Sequence, residues 1–444
     1  MCGFFFTTDK DSLRDTGFED VLQRGWNSFV YSHDAYFGVQ SVLPACTGEV
    51  AELVNDKDIM FFYTGEIYNY REFGFDCDTD LVLDTLLNNK DRLGKFNGMF
   101  AFVLYVKSTN TLIMGRDKTG QIPLFVYNKD KLIVSNTIKS IVKNVDTQVR
   151  SEAFNTWAKH KHYISQQTIW EDINEFPPGK LWTNGRYSNI ASTEYNTIGV
   201  LDTLRSIKPH YDSPLSTATV NSGGVDSSII SKVWNTQEVA VNHVDKDYIS
   251  NNQSRAIEIN ETQWCTYVDR FIEDTYMVPY TWSWVGYYIM GEYLRKYQID
   301  ILLTGEGADE IFGGYPGYAQ GKPTPYSGFT EYDNPINNKL SDQQVFIPVA
   351  AMGANLALGC YTIEPRSPFL DATFLNNKNY QSCVSKEELK SIYTHFYGRR
   401  PGPKQGFAGY PNEYYNHVFG TNLSEFENNN YWKEACLQTL QNLA

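Results

Sequence analysis

Ser222-Gly223-Gly224-Val225-Asp226-Ser227-Ser228 concentrates more usable chemistry than any other stretch of the chain. It follows the run Thr217-Ala218-Thr219-Val220 and leads into Ile229-Ile230-Ser231-Lys232-Val233-Trp234, so the pattern predicts strand, loop, helix. Glycines in such a loop let backbone N–H groups converge on phosphate oxygens, and the helix N-terminus behind it favours the same charge. Asp226 is placed to hold Mg²⁺, the usual companion of a polyphosphate. An ordinary Gly/Ser turn with Asp226 as a helix cap is the alternative. No Lys follows the glycines, unlike the G-x-x-x-x-G-K-[ST] loop. The pattern points instead to ATP being split into AMP and pyrophosphate, which is adenylating chemistry.

A second candidate is Cys2. Removal of Met1 would make it the terminal residue, and a free α-amine titrating near about 7.7–8.0 could act as base for its own thiol. Thr64-Gly65-Glu66-Ile67-Tyr68-Asn69 runs from strand into loop and could offer N–H groups to an oxyanion.

The elements that must carry these residues fall into two differently patterned halves. Cys2–Phe6, Met60–Tyr63, Met99–Tyr105, Thr111–Gly115 and Leu132–Ser135 are apolar runs bounded by turn residues, with one helix-like segment from Asp80 to Leu87. They predict stacked antiparallel sheets with a few helices. After Pro177-Pro178-Gly179 and Asn184-Gly185, the polar stretch Ala191–Asn196 reads as a linker, with the boundary near residue 198. Beyond it strands alternate with helices: 217–220, the loop and its helix, Glu238–Val241, a helix from Tyr287 to Tyr297, and a strand over Ile299–Leu303. That alternation predicts a parallel sheet with ligands at the strand carboxyl ends.

Composition narrows the function classes. A chain of 444 residues suits two or three domains, and 42% hydrophobic with 20% charged residues is a globular composition. The formal charge of −14 argues against a nucleic-acid surface. No apolar run approaches the roughly 20 residues of a membrane span, and no signal peptide is expected before Cys2–Phe6. Seven scattered cysteines without C-x-x-C pairs suggest reduced thiols in a cytoplasm, without a zinc cage.

Cys2-Gly3, Thr64–Asn69, Gly98–Phe102 and Gly115-Arg116-Asp117 follow the order of a class II glutamine amidotransferase domain. With the Ser222–Ser228 loop, Gly305–Tyr315, Glu364–Asp371 and Lys404–Phe407, the chain resembles the glutamine-dependent asparagine synthetases over nearly its whole length. The resemblance implies an α+β, Ntn-hydrolase-type αββα sandwich over residues 2–198. An α/β parallel-sheet PP-loop synthetase domain would follow over 199–444. It implies glutamine, ATP with Mg²⁺, and a carboxylic acid, foremost aspartate, as small-molecule partners; a homodimer is compatible with it. Cys2 would attack glutamine, Gly65 and Thr64 would border the oxyanion, Glu66 would sit beside the glutamine site, and Asp80 would hold the glutamine amine. Glu66 could instead be a surface strand residue, and Asp80 could simply begin a helix. Ammonia would travel inside the protein to the second domain. There Ser222, Gly223, Gly224, Ser227 and Ser228 would hold pyrophosphate, while Val220, Val241, Thr304 and Gly305 border the nucleotide. Glu306 would be the general base, Lys404 would stabilise the adenylation transition state, and Asp309 would join Asp226 on Mg²⁺. A helix cap at Asp309 and a solvated loop lysine at Lys404 are the bland counterparts. Arg366 and Asp371 are expected to brace the site.

The chain also departs from the family. Thr64 replaces an Asn, and Val39 stands where counting back from Thr64 places an Arg that clamps the glutamine carboxylate. Arg24-Gly25-Trp26-Asn27 replaces Arg-Gly-Pro-Asp, and Thr281-Trp282-Ser283-Trp284 replaces Thr-Thr-Ile-Arg ahead of Glu306. Trp282 and Trp284 are either acceptor-pocket or core residues. These differences leave open an ammonia-dependent ligase or another acceptor, such as a sugar acid or a modified nucleotide precursor.

Overall fold

The computed structural model describes residues 2–14, 17–34, 36–45, 58–160, 166–195, 199–241, 254–315, 335–381, 383, 385–402 and 430–443. The first half supplies strands β1 (Gly3–Thr7), β2 (Asn27–His33), β3 (Tyr36–Val42), β4 (Ile59–Ile67), β5 (Gly98–Val106), β6 (Thr111–Arg116), β7 (Phe125–Asn128), β8 (Leu132–Ser135), β9 (Ile173–Glu175), β10 (Lys180–Thr183) and β11 (Arg186–Asn189). They form two antiparallel sheets, ordered β2-β3-β1-β8-β7-β9 and β11-β10-β6-β5-β4.

Alternation along β1 explains why these sheets stack. Phe4 and Phe6 point into the space between them, against Met60, Phe62, Met99 and Val103. Phe5 points the other way, into the core that holds Val21, Ile138, Ile141 and Phe154. Those residues lie on α1 (Glu19–Leu22), α3 (Ile138–Val142) and α4 (Ser151–His160). The opposite sheet is covered through Leu81, Val82 and Leu86 of α2 (Asp78–Asn88), which pack on Phe61, Phe100 and Phe102. Helix, sheet, sheet, helix is the resulting layering, as the resemblance implied. Because β1 is buried on both faces, it reads in sequence as an unbroken apolar run. Each of its phenylalanines contributes about 1.5–3 kcal/mol by leaving water.

The second half is built on five parallel strands, β12 (Thr217–Val220), β13 (Gln237–Val241), β14 (Ser254–Ile257), β15 (Ile301–Leu303) and β16 (Glu364–Arg366). Their order is β14-β13-β12-β15-β16. One face packs on α5 (Val200–Tyr211) and α6 (Val225–Trp234) through Leu204, Ile229, Ile230 and Leu303. The other packs on α7 (Glu261–Thr275), α8 (Trp282–Lys296) and α10 (Pro335–Gly359), through Trp264, Trp284 and Leu358. Between α8 and α10 lies the short α9 (Ala308–Phe312), and α11 (Glu387–Tyr397) packs beside α6.

Most elements predicted from sequence are present, with shifted ends. The strand after the second-half linker and the strand Leu132–Ser135 coincide with the expected bounds. Helix α8 begins five residues before the predicted Tyr287, at Trp282, with the extended Thr281 as its N-cap. The proposed boundary at residue 198 lies outside the described residues. Nearby Tyr195 bridges to Asn377, so the stretch before it is tied down to the second half.

Candidate functional site

From β12 the chain runs outward to β13 and β14, then returns to the other side as β15 and β16. The β12–β15 pair is therefore the topological switch point of the sheet, where the loops after adjacent strands part and leave a crevice. The Ser222–Ser228 loop follows β12, and Thr304-Gly305-Glu306 follows β15, so both predicted motifs open into the same crevice.

The loop is set by its own hydrogen bonds. Asn221 Oδ1 accepts from Gly223 N–H at 3.1 Å and from Ser228 Oγ at 3.2 Å. Ser227 Oγ accepts from Ser222 N–H at 3.2 Å. Gly223 has φ +78°, a conformation that L side chains rarely adopt. The two motifs touch at Gly305: a Cβ there would lie 3.0 Å from both Asp226 Cβ and Ser227 N. A side chain at this position would press on the first motif.

Asp226 and Asp309 come together around a cation that sequence reasoning overlooked. Lys386 Nζ, on a side chain only 7% exposed, lies 2.5 Å from Asp226 Oδ2 and 2.7 Å from Asp309 Oδ1. Burial alone would depress its pKa, but the two carboxylates outweigh burial and raise it. Asp309 sits in the first turn of α9, whose N-cap is Gly307 rather than Asp309. The next residue, Glu310, is buried; burial first, then Asp309, push it up to about 7, against hydrogen bonding from Tyr315.

Glu306 lies partly buried at the crevice. Its Oε1 accepts from Tyr287 O–H at 2.6 Å, and its backbone N–H reaches Thr304 Oγ1 at 3.4 Å. Thr304 Oγ1 is in turn 2.7 Å from Ser367 Oγ. Val220 closes the end of β12, and Val241 ends β13 beside it; the side chain of Val241 is outside the described residues. Lys404 lies outside them altogether.

The N-terminal site is assembled on β1, β3 and β4. Cys2 is buried, and its Sγ accepts from Leu43 N–H at 3.3 Å. Its carbonyl accepts from Thr64 Oγ1 at 3.0 Å, Arg24 Nε at 3.4 Å and Asn136 Nδ2 at 3.5 Å. Thr64 thus spends its hydroxyl on positioning the cysteine backbone. Burial, ahead of smaller charge effects, pushes the Cys2 thiol up to about 11. Gly65 has φ +131°, and a Cβ there would meet Met99 O at 2.0 Å. No side chain fits at that point of the strand.

One expectation needs correction, and three open alternatives are decided by burial. Asp80 is exposed on the first turn of α2, so it begins a helix and faces solvent. The buried carboxylate is Asp78, whose Oδ2 accepts from Tyr63 O–H at 2.6 Å and Ile67 N–H at 3.1 Å. Cys77-Asp78-Thr79-Asp80 offers two acids two positions apart, and only the packing of α2 on β4 chooses between them. Trp284 is a core residue: it is fully buried and its Nε1 donates to Val349 O at 3.1 Å. Val39 is likewise buried, between Phe5 and Val30 in the β1-β3-β2 pairing. Glu66 is no surface residue either: it is buried, with Oε2 3.3 Å from Arg366 Nη2 across the two halves.

Arg366 and Asp371 do brace the junction. Arg366 Nε donates to Glu364 Oε1 at 2.9 Å and Nη1 to Tyr211 O at 3.0 Å. Asp371 Oδ2 accepts from Asn97 Nδ2 at 2.7 Å. Arg24 Nη2 donates to Asn355 Oδ1 at 2.8 Å, and Tyr68 stacks on Tyr211 with centroids 4.2 Å apart. The Gly115-Arg116-Asp117 motif is scaffold: Asp117 accepts N–H groups from Phe100, Thr119, Gln121 and Ile122.

Lys386 and Tyr287 carried no usable sequence signal. Ser385-Lys386-Glu387-Glu388 reads as an ordinary helix start, and Tyr287 is one of several aromatics in an apolar helix.

The family model of the glutamine amidotransferase domain matches residues 49–196, and that of asparagine synthase matches residues 246–344. Together with the fold, they define an ATP-dependent carbon–nitrogen ligase coupled to a glutamine amidotransferase domain. Asparagine synthetase [glutamine-hydrolyzing] 1 of Bacillus subtilis is 24% identical over 449 residues, covering 88% of this chain and 70% of that protein. Asparagine synthetase B of Escherichia coli is 26% identical over 447 residues, covering 85% and 74%. A putative asparagine synthetase of Methanocaldococcus jannaschii is 26% identical over 302 residues, covering 59% and 54%. Over most of its length the chain is similar to the glutamine-hydrolysing asparagine synthetases, and the two family models match it in the same order.

Proposed function

We propose that this chain makes asparagine. ATP adenylates the aspartate side-chain carboxylate, and ammonia from glutamine attacks the adenylate to release asparagine and AMP, pyrophosphate having left in the first step. Residues 2–198 act as the glutaminase and 199–444 as the synthetase. Cys2 is the nucleophile, beside Thr64, Gly65 and Glu66, and the buried Asp78 takes the amine-binding role in place of Asp80. The Ser222–Ser228 loop holds the pyrophosphate, Val220, Val241, Thr304 and Gly305 border the nucleotide, and Glu306 removes a proton from the attacking nitrogen. Lys404 stabilises charge during adenylation. The enzyme works in a reducing cytoplasm, and no helix among the described residues is long and apolar enough to cross a membrane.

Asp226 and Asp309 already share one cation, the Lys386 ammonium, so this pair suits Mg²⁺. Among the described residues no group of three or more His, Cys, Asp or Glu side chains could hold a metal, so its other ligands would come from phosphate and water. Bound there, it would offset the charge of the departing pyrophosphate.

The observation that carries this reading is the meeting of the Ser222–Ser228 loop, the Asp226–Lys386–Asp309 cluster and Glu306 at one switch point. The test is the full chain with ATP, Mg²⁺, aspartate and either glutamine or ammonium, followed by AMP, pyrophosphate and amide analysis. No AMP with aspartate, but turnover with another acid, would make it a sibling amidotransferase. ATP-independent glutamine hydrolysis alone would leave only the first half active. Val39 in the core favours a second reading, an ammonia-dependent ligase whose glutamine site lacks its carboxylate clamp; in that case ammonium supports turnover and glutamine does not.

A further inference from the structure

Tyr287 projects from α8 toward the end of β15, fully buried, and its hydroxyl donates to Glu306 Oε1 at 2.6 Å. A phenylalanine would fill the same volume, so the hydroxyl needs its own explanation. Burial first, and then the Glu306 charge, raise its pKa well above 10, so it stays protonated and acts as a donor. A donor on one carboxylate oxygen limits rotation of the carboxylate and favours its ionised form. Thr304 of the same loop also interacts with the Tyr287 hydroxyl, and the Glu306 charge reaches Glu310 of α9.

We propose that Tyr287 is a positioning residue for the amide-forming step, pinning one oxygen of Glu306 so that the other is held toward the attacking nitrogen. The inference rests on Glu306 being the base. In that step the ammonia lone pair forms the C–N bond at the adenylate carbonyl, and the carbonyl π pair moves onto oxygen. Glu306 takes one N–H proton; the carbonyl then re-forms, and the C–O bond to AMP breaks, AMP leaving with that electron pair. Adenylation itself does not use Glu306, so loss of the phenol should separate the two half-reactions.

The experiment compares wild type, Tyr287→Phe, Glu306→Gln and the double variant, with ATP, Mg²⁺, aspartate and ammonium chloride. For Tyr287→Phe, the expected result is a fall in amide kcat of roughly 10- to 100-fold. KM for ATP should be unchanged, and AMP should form in excess of amide as the adenylate is lost to water. In the Glu306→Gln background the same change should cost nothing further. An unaltered kcat, an equal loss of AMP and amide formation, or an additive loss in the double variant would overturn it. If wild type does not amidate aspartate, the acceptor assignment fails on its own. A carbon-13 titration of Glu306, assigned through Glu306→Gln, then decides: its midpoint should move up in Tyr287→Phe, and an unmoved midpoint overturns the inference.

Discussion

Replacing Lys386 with Met removes the cation between two carboxylates while keeping most of the side-chain volume. Lys386 is 7% exposed, and the side chains of Asp226 and Asp309 are 20% and 22% exposed. Breaking a buried ion pair by deleting one partner costs about 3–5 kcal/mol. Partial solvent access to the two acids lowers the expectation to about 2–3 kcal/mol, with their mutual repulsion included. The sign with pH follows from the charges. In the native protein the raised pKa of Lys386 contributes stability that is complete below its ordinary value of 10.5 and is lost as pH climbs through the higher folded value. In Lys386→Met the stranded carboxylates prefer to be protonated in the folded state. The deficit is therefore largest near pH 8 and shrinks as pH falls toward about 4. Urea unfolding of both proteins at pH 8 and pH 4.5, followed by circular dichroism, measures this directly. A loss below about 0.5 kcal/mol at pH 8, or one that is equal at both pH values, would refute the account of Lys386 as a buried counter-ion.

Further outcomes follow from the same geometry. Cys2→Ala should abolish glutamine-driven amide formation and leave ammonium-driven formation within about twofold, because its Sγ makes little of the interface. Alkylation of Cys2 by iodoacetamide should rise about tenfold per pH unit until near pH 11, where burial has moved the thiol; a plateau by pH 9 would contradict that shift. Gly305→Ala should weaken ATP binding by about tenfold, read by calorimetry, since its Cβ would press on Asp226 and Ser227 at 3.0 Å. Glu66→Gln should destabilise the junction by about 1–3 kcal/mol in thermal unfolding, because it leaves Arg366 without one of its buried counter-charges.

The second half was the more legible of the two. Thr217–Val220, the Gly/Ser loop and Gly305–Asp309 announce themselves through local turn chemistry, and the alternation of strands with helices limits the topology to a parallel sheet. The first half was legible in its doubly buried strands. It was less so in β2 and β7, whose polar and apolar residues alternate weakly, or in the three-residue β9. Asp78 and Asp80 differ by one face of a helix start, and local pattern cannot say which face meets β4. Lys386 and Tyr287 are recognisable only by what they touch, at sequence distances of 160 and 19 residues from their partners.

Residue order alone was enough to specify which loops could bind phosphate, which segments could be strands, and that a thiol stands at the amino end. Those properties arise from short-range sterics and periodicity, which operate within a few residues of the chain. Packing decided the rest: that β12 and β15 adjoin, that one lysine neutralises two acids, that a tyrosine restrains Glu306, and that Val39 lies in the core. Burial turns an ordinary lysine, carboxylate or thiol into a perturbed one, and burial is set by elements that meet in space while remaining far apart in the chain.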